Sequence, residues 1–365
     1  MILQRETTGL IKFRLRARLL WALLAFVGLN LYAQEGLWDV DFRTVFDNRE
    51  GDTKYAAAKT FFLTQLSGSV GLSLLDGQHT IMGGATWTQP VGNDWKDASL
   101  SPILFYRYKK DGLTGFLGMF PRDGLYRPVP DYIWNDSTYY VQHTIRGAGI
   151  VNVGSHGYIQ AFIDWRGMQS AERREAFNVV AMGEWRKASD SFWSLGGVAM
   201  MNHLACQDPA PQGQSVVDNF LINPYIGFDF SRMTPSLNYL TLNVGALGAL
   251  TRDRALDNKW KTPFGLWVDG RVRWKWLAAR EEIYAGGALF PYYNEYGFLL
   301  DQGEPYFSAK FYSRTELQGY LLEKSFMSLR ASLDFHYAGK ELMFYQRLIL
   351  NVNFDGSFRR KSSRN

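Results

Sequence analysis

From residue 36 to residue 355 the chain repeats one pattern, apolar and polar side chains alternating over segments of roughly eight to fourteen residues. In Ser328–Tyr337, Leu329, Ala331, Leu333, Phe335 and Tyr337 alternate with Ser328, Arg330, Ser332, Asp334 and His336. A period of two places successive side chains on opposite faces of a strand, so each segment would have one apolar and one polar face. Helical periodicity is scarce. The pattern predicts sixteen strands near 36–47, 60–74, 79–89, 101–109, 113–120, 140–152, 157–167, 176–187, 192–204, 218–231, 238–250, 263–276, 280–290, 306–321, 326–337 and 341–355.

A soluble sandwich also alternates, so other features must decide. The polar faces carry Arg and Asp side by side, on segments long enough to cross a bilayer at a tilt. Trp185, Trp274, Trp276, Tyr106, Tyr108 and Tyr337 fall at segment ends, where membrane-interface girdles would place them. The connections alternate in length: short at 75–78, 110–112, 153–156, 188–191, 232–237, 277–279 and 322–325, long at 48–59, 90–100, 121–139, 168–175, 205–217, 251–262 and 291–305. Only the hairpin at 338–340 breaks the series. Short periplasmic turns and long outer loops are the asymmetry of an outer-membrane barrel. The fold class that follows is all-β, a transmembrane up-and-down antiparallel barrel of about sixteen strands, with 14 and 18 left open.

Composition agrees once the charge is located. The formal charge of +5 and pI near 9.1 suggest nucleic acid, but residues 1–33 hold five basic residues against one acid, and the last seven hold four basic and no acid. The remaining body, 31 basic against 34 acidic, offers no basic face, and no nucleic-acid partner is expected. A basic stretch from Lys12 to Arg18, an apolar run from Leu19 to Leu29 and a small residue at Ala33 predict a signal peptide over 1–33. The barrel would then span 34–358, followed by a basic tail over 359–365. Cys206 is the single cysteine, which excludes a disulfide framework and a cysteine-rich zinc site.

With its signal segment, alternating body and aromatic last strand (Phe344, Tyr345, Phe354, Phe358), the chain resembles the porin-like outer-membrane barrels of Gram-negative bacteria. The resemblance implies an outer-membrane location, contact with outer-membrane lipid, and insertion by machinery that reads an aromatic near the C-terminus. The Arg359–Asn365 tail departs from that ending.

At about sixteen strands a barrel leaves an aqueous channel unless something plugs it. The expectation is therefore a channel for small hydrophilic solutes. Its lumen would be lined by Arg43, Arg107, Arg146, Arg166, Asp164, Asp269, Arg271, Arg273, Arg314, Arg330, Asp334 and Arg347, whose opposed charges would select permeants or pair with one another. The longest outer loop, with Arg122, Asp123, Tyr126, Arg127, Asp131, Tyr132 and Trp134, is the expected constriction; Pro291–Phe298 is a second aromatic loop. A scaffold in an envelope complex and a barrel-embedded hydrolase are the alternatives, the latter through His336 and Asp334, two residues apart on one face. The other histidines, His79, His143, His156 and His203, are dispersed. The familiar metal, nucleotide and serine-hydrolase motifs are absent from the body. The expectation is no enzyme, no cofactor and no metal site, with homo-oligomerisation left open.

Overall fold

The computed structural model describes residues 35–359. The predicted signal segment and residues 360–365 of the tail lie outside the described residues. The strands are β1 (Glu35–Glu50), β2 (Lys59–Leu74), β3 (His79–Pro90), β4 (Ser99–Lys110), β5 (Leu113–Pro121), β6 (Thr144–Gly154), β7 (Gly157–Gly167) and β8 (Ala176–Trp185). They continue as β9 (Trp193–Leu204), β10 (Val217–Asp229), β11 (Tyr239–Asp253), β12 (Phe264–Trp274), β13 (Leu277–Gly286), β14 (Phe311–Lys324), β15 (Met327–Ala338) and β16 (Glu341–Arg359). Each pairs antiparallel with its sequence neighbours, and β1 pairs with β16 to close the barrel. No edge strand is left, which is what a lipid environment demands of a sheet. The chain is an outer-membrane β-barrel, with no described helix long and apolar enough to cross a membrane.

Alternation sets the two faces as expected. On β1, Val45, Asp47 and Arg49 are buried toward the lumen; on β14, Tyr312, Arg314 and Glu316 point in while Phe311 and Leu317 lie exposed outside. Trp185, Trp274, Trp276 and Tyr337 are exposed on the outer surface near strand ends. The short turns use backbone geometry suited to tight reversal. At Asp111-Gly112 both residues have positive φ, and a Cβ on Gly112 would stand 2.3 Å from the carbonyl oxygen of Val153.

Two long loops depart from the expected outline by folding inward. β6 begins at Thr144 rather than near 140, because the preceding residues form the short helix α1 (Asp136–Val141), capped by the Asn135 side chain accepting from the Thr138 amide. β13 ends at Gly286 and β14 begins at Phe311, so 287–310 is a longer connection than expected. Tyr132, Ile133, Trp134, Phe290, Tyr306 and Phe307, at 0–4% exposure, join inward strand residues such as Phe120, Phe162, Leu247 and Tyr284 in one apolar core. Burying each such side chain contributes about 1.5–3 kcal/mol. The two loops also bond one another: Asn135 N–H donates to the Gln302 carbonyl at 2.9 Å, and Glu304 N–H to the Asp131 carbonyl at 2.8 Å.

Candidate functional site

The inward loops meet the barrel all round its interior. Tyr132 donates to Asn223 of β10 at 2.8 Å, Gln65 of β2 donates to the Tyr140 carbonyl at 2.8 Å, and Asn219 of β10 donates to Asp301 at 2.8 Å. Three arginines, Arg314 and Arg347 buried and Arg280 nearly so, clamp the first loop. Arg280 of β13 and Arg314 of β14 reach Asp131 at 2.5 and 2.6 Å, and Arg347 of β16 reaches Asp136 at 2.5 Å. Burial would raise Asp136, but Arg347 and Arg314 outweigh it and hold the carboxyl below its ordinary range. In the second loop, burial pushes both Asp301 and Glu304 up to about 7. Neither carboxyl oxygen of Glu304 has a hydrogen-bond partner among the described residues.

The loops thus form a plug, and the lumen residues expected from sequence mostly bind it or pair with one another. Arg122 bonds Asp164 at 2.6 Å and stacks over Trp134 at 3.9 Å. Asp269 holds Arg271 at 2.6 Å and Arg280 at 2.5 Å, and Asp334 pairs with Arg314 and Arg347. Arg166 caps the Leu299 carbonyl at 2.9 Å. Below the plug two cavities remain. One, of about 520 Å³, touches Arg43, Arg107, Arg122, Asp123 and His143; the other, of about 530 Å³, touches Arg127, Asp131, Asp269, Arg271, Arg314, Arg330 and Arg347. Burial, with Arg43 and Arg122 nearby, lowers His143 to about 4. The Tyr126 ring lies tilted against Tyr158 with centroids 5.1 Å apart, and Arg273 pairs with Glu323 at 2.5 Å.

Two placements differ from expectation. Arg146 does not line the lumen: its neighbour Ile145 is fully buried inside, which puts Arg146 on the outward face. The expected strand started near 140, and the helical turn before Thr144 made the face of this arginine unreadable. His336 is no member of a serine triad. It is 1% exposed, donates or accepts at Tyr312 Oη (2.9 Å), stacks on Tyr306 and Tyr312 with Tyr345 tilted against it, and is bonded to no serine among the described residues.

The outward wall carries a feature that sequence reading passed over. At the loop end of four adjacent pairings, Trp165 of β7 faces Phe177 of β8, Phe177 faces His203 of β9, His203 faces Asp218 of β10, and Asp218 faces Arg252 of β11. The row has the periodicity of cross-strand pairs, so five residues from five strands lie side by side. Trp165 stacks on Phe177 with centroids 4.9 Å apart, and Phe177 on His203 at 4.8 Å. Glu175 Oε2 stands 4.0 Å from His203 Nε2. Arg252 and Arg254 both reach Asp218 at 2.7 Å, and Arg252 lies 4.3 Å over Trp260. Beneath the row the outward wall is apolar, with Met201, Phe220, Leu250 and Ala199. His203 is the one histidine that is both on the outward face and at the outer-loop end. His79 and His156 lie at the short-turn end, and His143 and His336 lie within the barrel. Among the described residues no hydroxyl or thiol is hydrogen-bonded to His203, and no cluster of metal-ligating side chains is found.

Comparison with known proteins adds a family. The model of the family described as lipid A 3'-O-deacylase-type matches residues 33–361. That is a family of enzymes, and it overturns the expectation of a chain without enzymatic activity. No curated protein matches the sequence. Among solved structures the chain is similar to Pseudomonas aeruginosa OprD, at 9% identity and a TM-score of 0.50 over 89% of this chain and 96% of that one. It is similar also to Pseudomonas aeruginosa OpdQ, at 9% identity and a TM-score of 0.50 over 88% of this chain and 99% of that one. At such identity the likeness is one of fold.

Proposed function

The chain belongs to the lipid A 3'-O-deacylase-type family, and from that premise we propose that it hydrolyses an acyl ester of a phosphorylated glycolipid in the outer leaflet, from the outward wall of the barrel. The observation that carries this reading is the His203 row. An ester-linked lipid never leaves the membrane, so its hydrolase needs a base on the lipid-facing surface at headgroup depth, and His203 stands there with Glu175 beside it. In this reading Glu175 orients the imidazole, His203 removes a proton from water, and the water oxygen bonds the acyl carbon. The bond from that carbon to the sugar oxygen breaks, and the proton passes from His203 to the departing oxygen. The products are a free fatty acid and a sugar hydroxyl. Arg252 and Arg254, whose Nε–Nη2 edges hold Asp218, keep their Nη1 groups for a phosphate, and Trp165, Phe177 and Phe220 offer apolar contact to acyl chains.

The test is incubation of purified protein with lipid A in mixed micelles, followed by mass spectrometry for loss of one acyl chain. His203→Gln should lower turnover at least about 100-fold, the scale of general-base contributions. Equal turnover by wild type and His203→Gln would remove the row from the reaction. A second reading, passive diffusion of small hydrophilic solutes, is favoured by the charged cavities below the plug and the sixteen-strand gauge. It requires the plug to leave its seat.

A further inference from the structure

Glu281 is the fifth of the ten residues of β13, a strand of the length that crosses a bilayer. Its neighbours Arg280 and Glu282 point into the lumen, where Glu282 is fully buried. Glu281 therefore faces lipid at mid-depth. The other acidic or basic side chains on the outward face of the described strands, among them Glu50, Arg146, Asp218 and Arg252, lie near strand ends. Its carboxyl is no accident of packing: Ser313 Oγ donates to Oε1 at 2.7 Å and Thr315 Oγ1 donates to Oε2 at 2.5 Å, both from the outward face of β14. No ion pair reaches it among the described residues.

An ionisable side chain at the centre of the hydrocarbon is costly, and where one persists it marks a function. Lipid tails bring no hydrogen-bonding group to that depth, whereas a second protein surface can. We propose that the outward face of β12–β15 around Glu281 is the contact surface between two copies of this chain in the membrane. The patch is self-complementary. A two-fold axis beside Glu281 sets Glu281, Ser313 and Thr315 against the same three residues of the other copy, as an isologous interface requires. The two hydroxyls, which donate within the chain, can turn to donate to the opposite carboxyl instead. Small residues permit close approach. Gly270 lies directly across from Glu281 on β12, and a Cβ there would meet nothing nearer than 3.8 Å. On the short-turn side of the patch, a depression of about 730 Å³ is floored by Ala279, Gly319 and Ala331 and walled by Trp274, Leu317 and Leu333. It can receive a partner's side chain. Small residues with a polar pair are the combination that joins membrane segments where hydrophobicity cannot. His203 on β9 lies four strands round the barrel from Glu281 on β13, and the two readings rest on different side chains, so the proposal stands independently of the hydrolase.

The test uses the full chain with Cys206→Ser, reconstituted in phosphatidylcholine vesicles. Gly270→Cys should cross-link to a dimer on mild oxidation, while Gly68→Cys, an equally unobstructed mid-strand glycine on β2, should not. Energy transfer between labelled copies, followed on lipid dilution, should show dissociation about tenfold easier for Glu281→Leu than for wild type. A heat-shifted gel band would confirm that the variant is folded. A monomeric wild type, a dimer cross-linked only through Gly68→Cys, or a Glu281→Leu dimer as tight as wild type would each overturn the proposal. If lipid A turnover fails while the Gly270→Cys dimer forms, the hydrolase reading falls and the interface stands.

Discussion

His203 and His336 carry the same side chain and differ in everything that decides what it can do. His336 is sealed between three tyrosines, whereas His203 is about a third exposed, on the lipid side, with a carboxylate 4.0 Å away. If Glu175 orients His203, then Glu175→Gln should lower kcat about tenfold or more and leave KM near wild type. Arg252→Gln should instead raise KM with kcat little changed, since a phosphate grip acts on ground state and transition state alike. Steady-state kinetics on micellar lipid A separates the two, and a KM effect from Glu175→Gln would assign it to binding. Inside the barrel, Arg314 touches Asp131, Asp136 and Asp334 at 2.6–3.3 Å. Arg314→Gln strands buried carboxylates and should destabilise the fold by about 3–5 kcal/mol, read from the urea midpoint in detergent. Sequence could find Arg314 and Asp334, because alternation tells which face a residue is on. It could not pair them with Asp131, which lies 183 residues from Arg314 and meets it only through the plug. The row left a fainter mark: His203, Asp218 and Arg252 each end an otherwise apolar outward face, an exception that alternation alone makes visible.

At the scale of elements, strands and loops were legible to different degrees. A strand in a lipid-facing wall writes its own two-residue period, so fifteen connections were placed and most ends fell within a few residues. The plug has no such period, since its burial depends on partners elsewhere in the chain. The aromatic run after Phe290 therefore read as strand end and loop rather than as core. The plug's acids make its docking pH-dependent. Asp301 and Glu304 are raised to about 7 from ordinary values near 4. An acid raised on docking holds its proton more tightly in the docked state, so its support is full below the ordinary value and is lost as pH climbs through 7. Asp136, held low, works the other way: its support is present above about pH 4 and is lost as acid is added. Arg49, Arg314, Asp131 and Asp136 set the field at Glu304. The plug should therefore sit most firmly near pH 4–5. Hydrogen-exchange protection factors of the amides in 297–307 should fall at least tenfold between pH 5.5 and 8, and less in Glu304→Gln. Protection that is flat with pH would show that these acids stay protonated or find partners throughout.

The whole molecule keeps its two working surfaces apart. The reaction row and the Glu281 patch lie outside the wall, while the plug and its charges lie within, so each can be perturbed without the other. Aromatic side chains of both loops fill the middle of the lumen. The native chain in a planar bilayer at pH 5.5 should therefore give no discrete conductance steps. Replacing residues 128–135 by a short Gly-Ser linker removes Asp131, Tyr132 and Trp134, and with them the Arg280 and Arg314 clamp on the loop and the centre of the apolar core. That variant should show ohmic steps, because the two cavities below the plug would join the outer mouth. It should also retain lipid A turnover, since none of the deleted residues touches the His203 row. Steps from the native chain at pH 5.5 would make the plug a loosely seated lid and raise diffusion to a function beside hydrolysis. Loss of turnover on deletion would instead tie the wall to the plug through β8 and β9, whose inward Asn178 and Asn202 bond Gln302 and Leu300 behind the row.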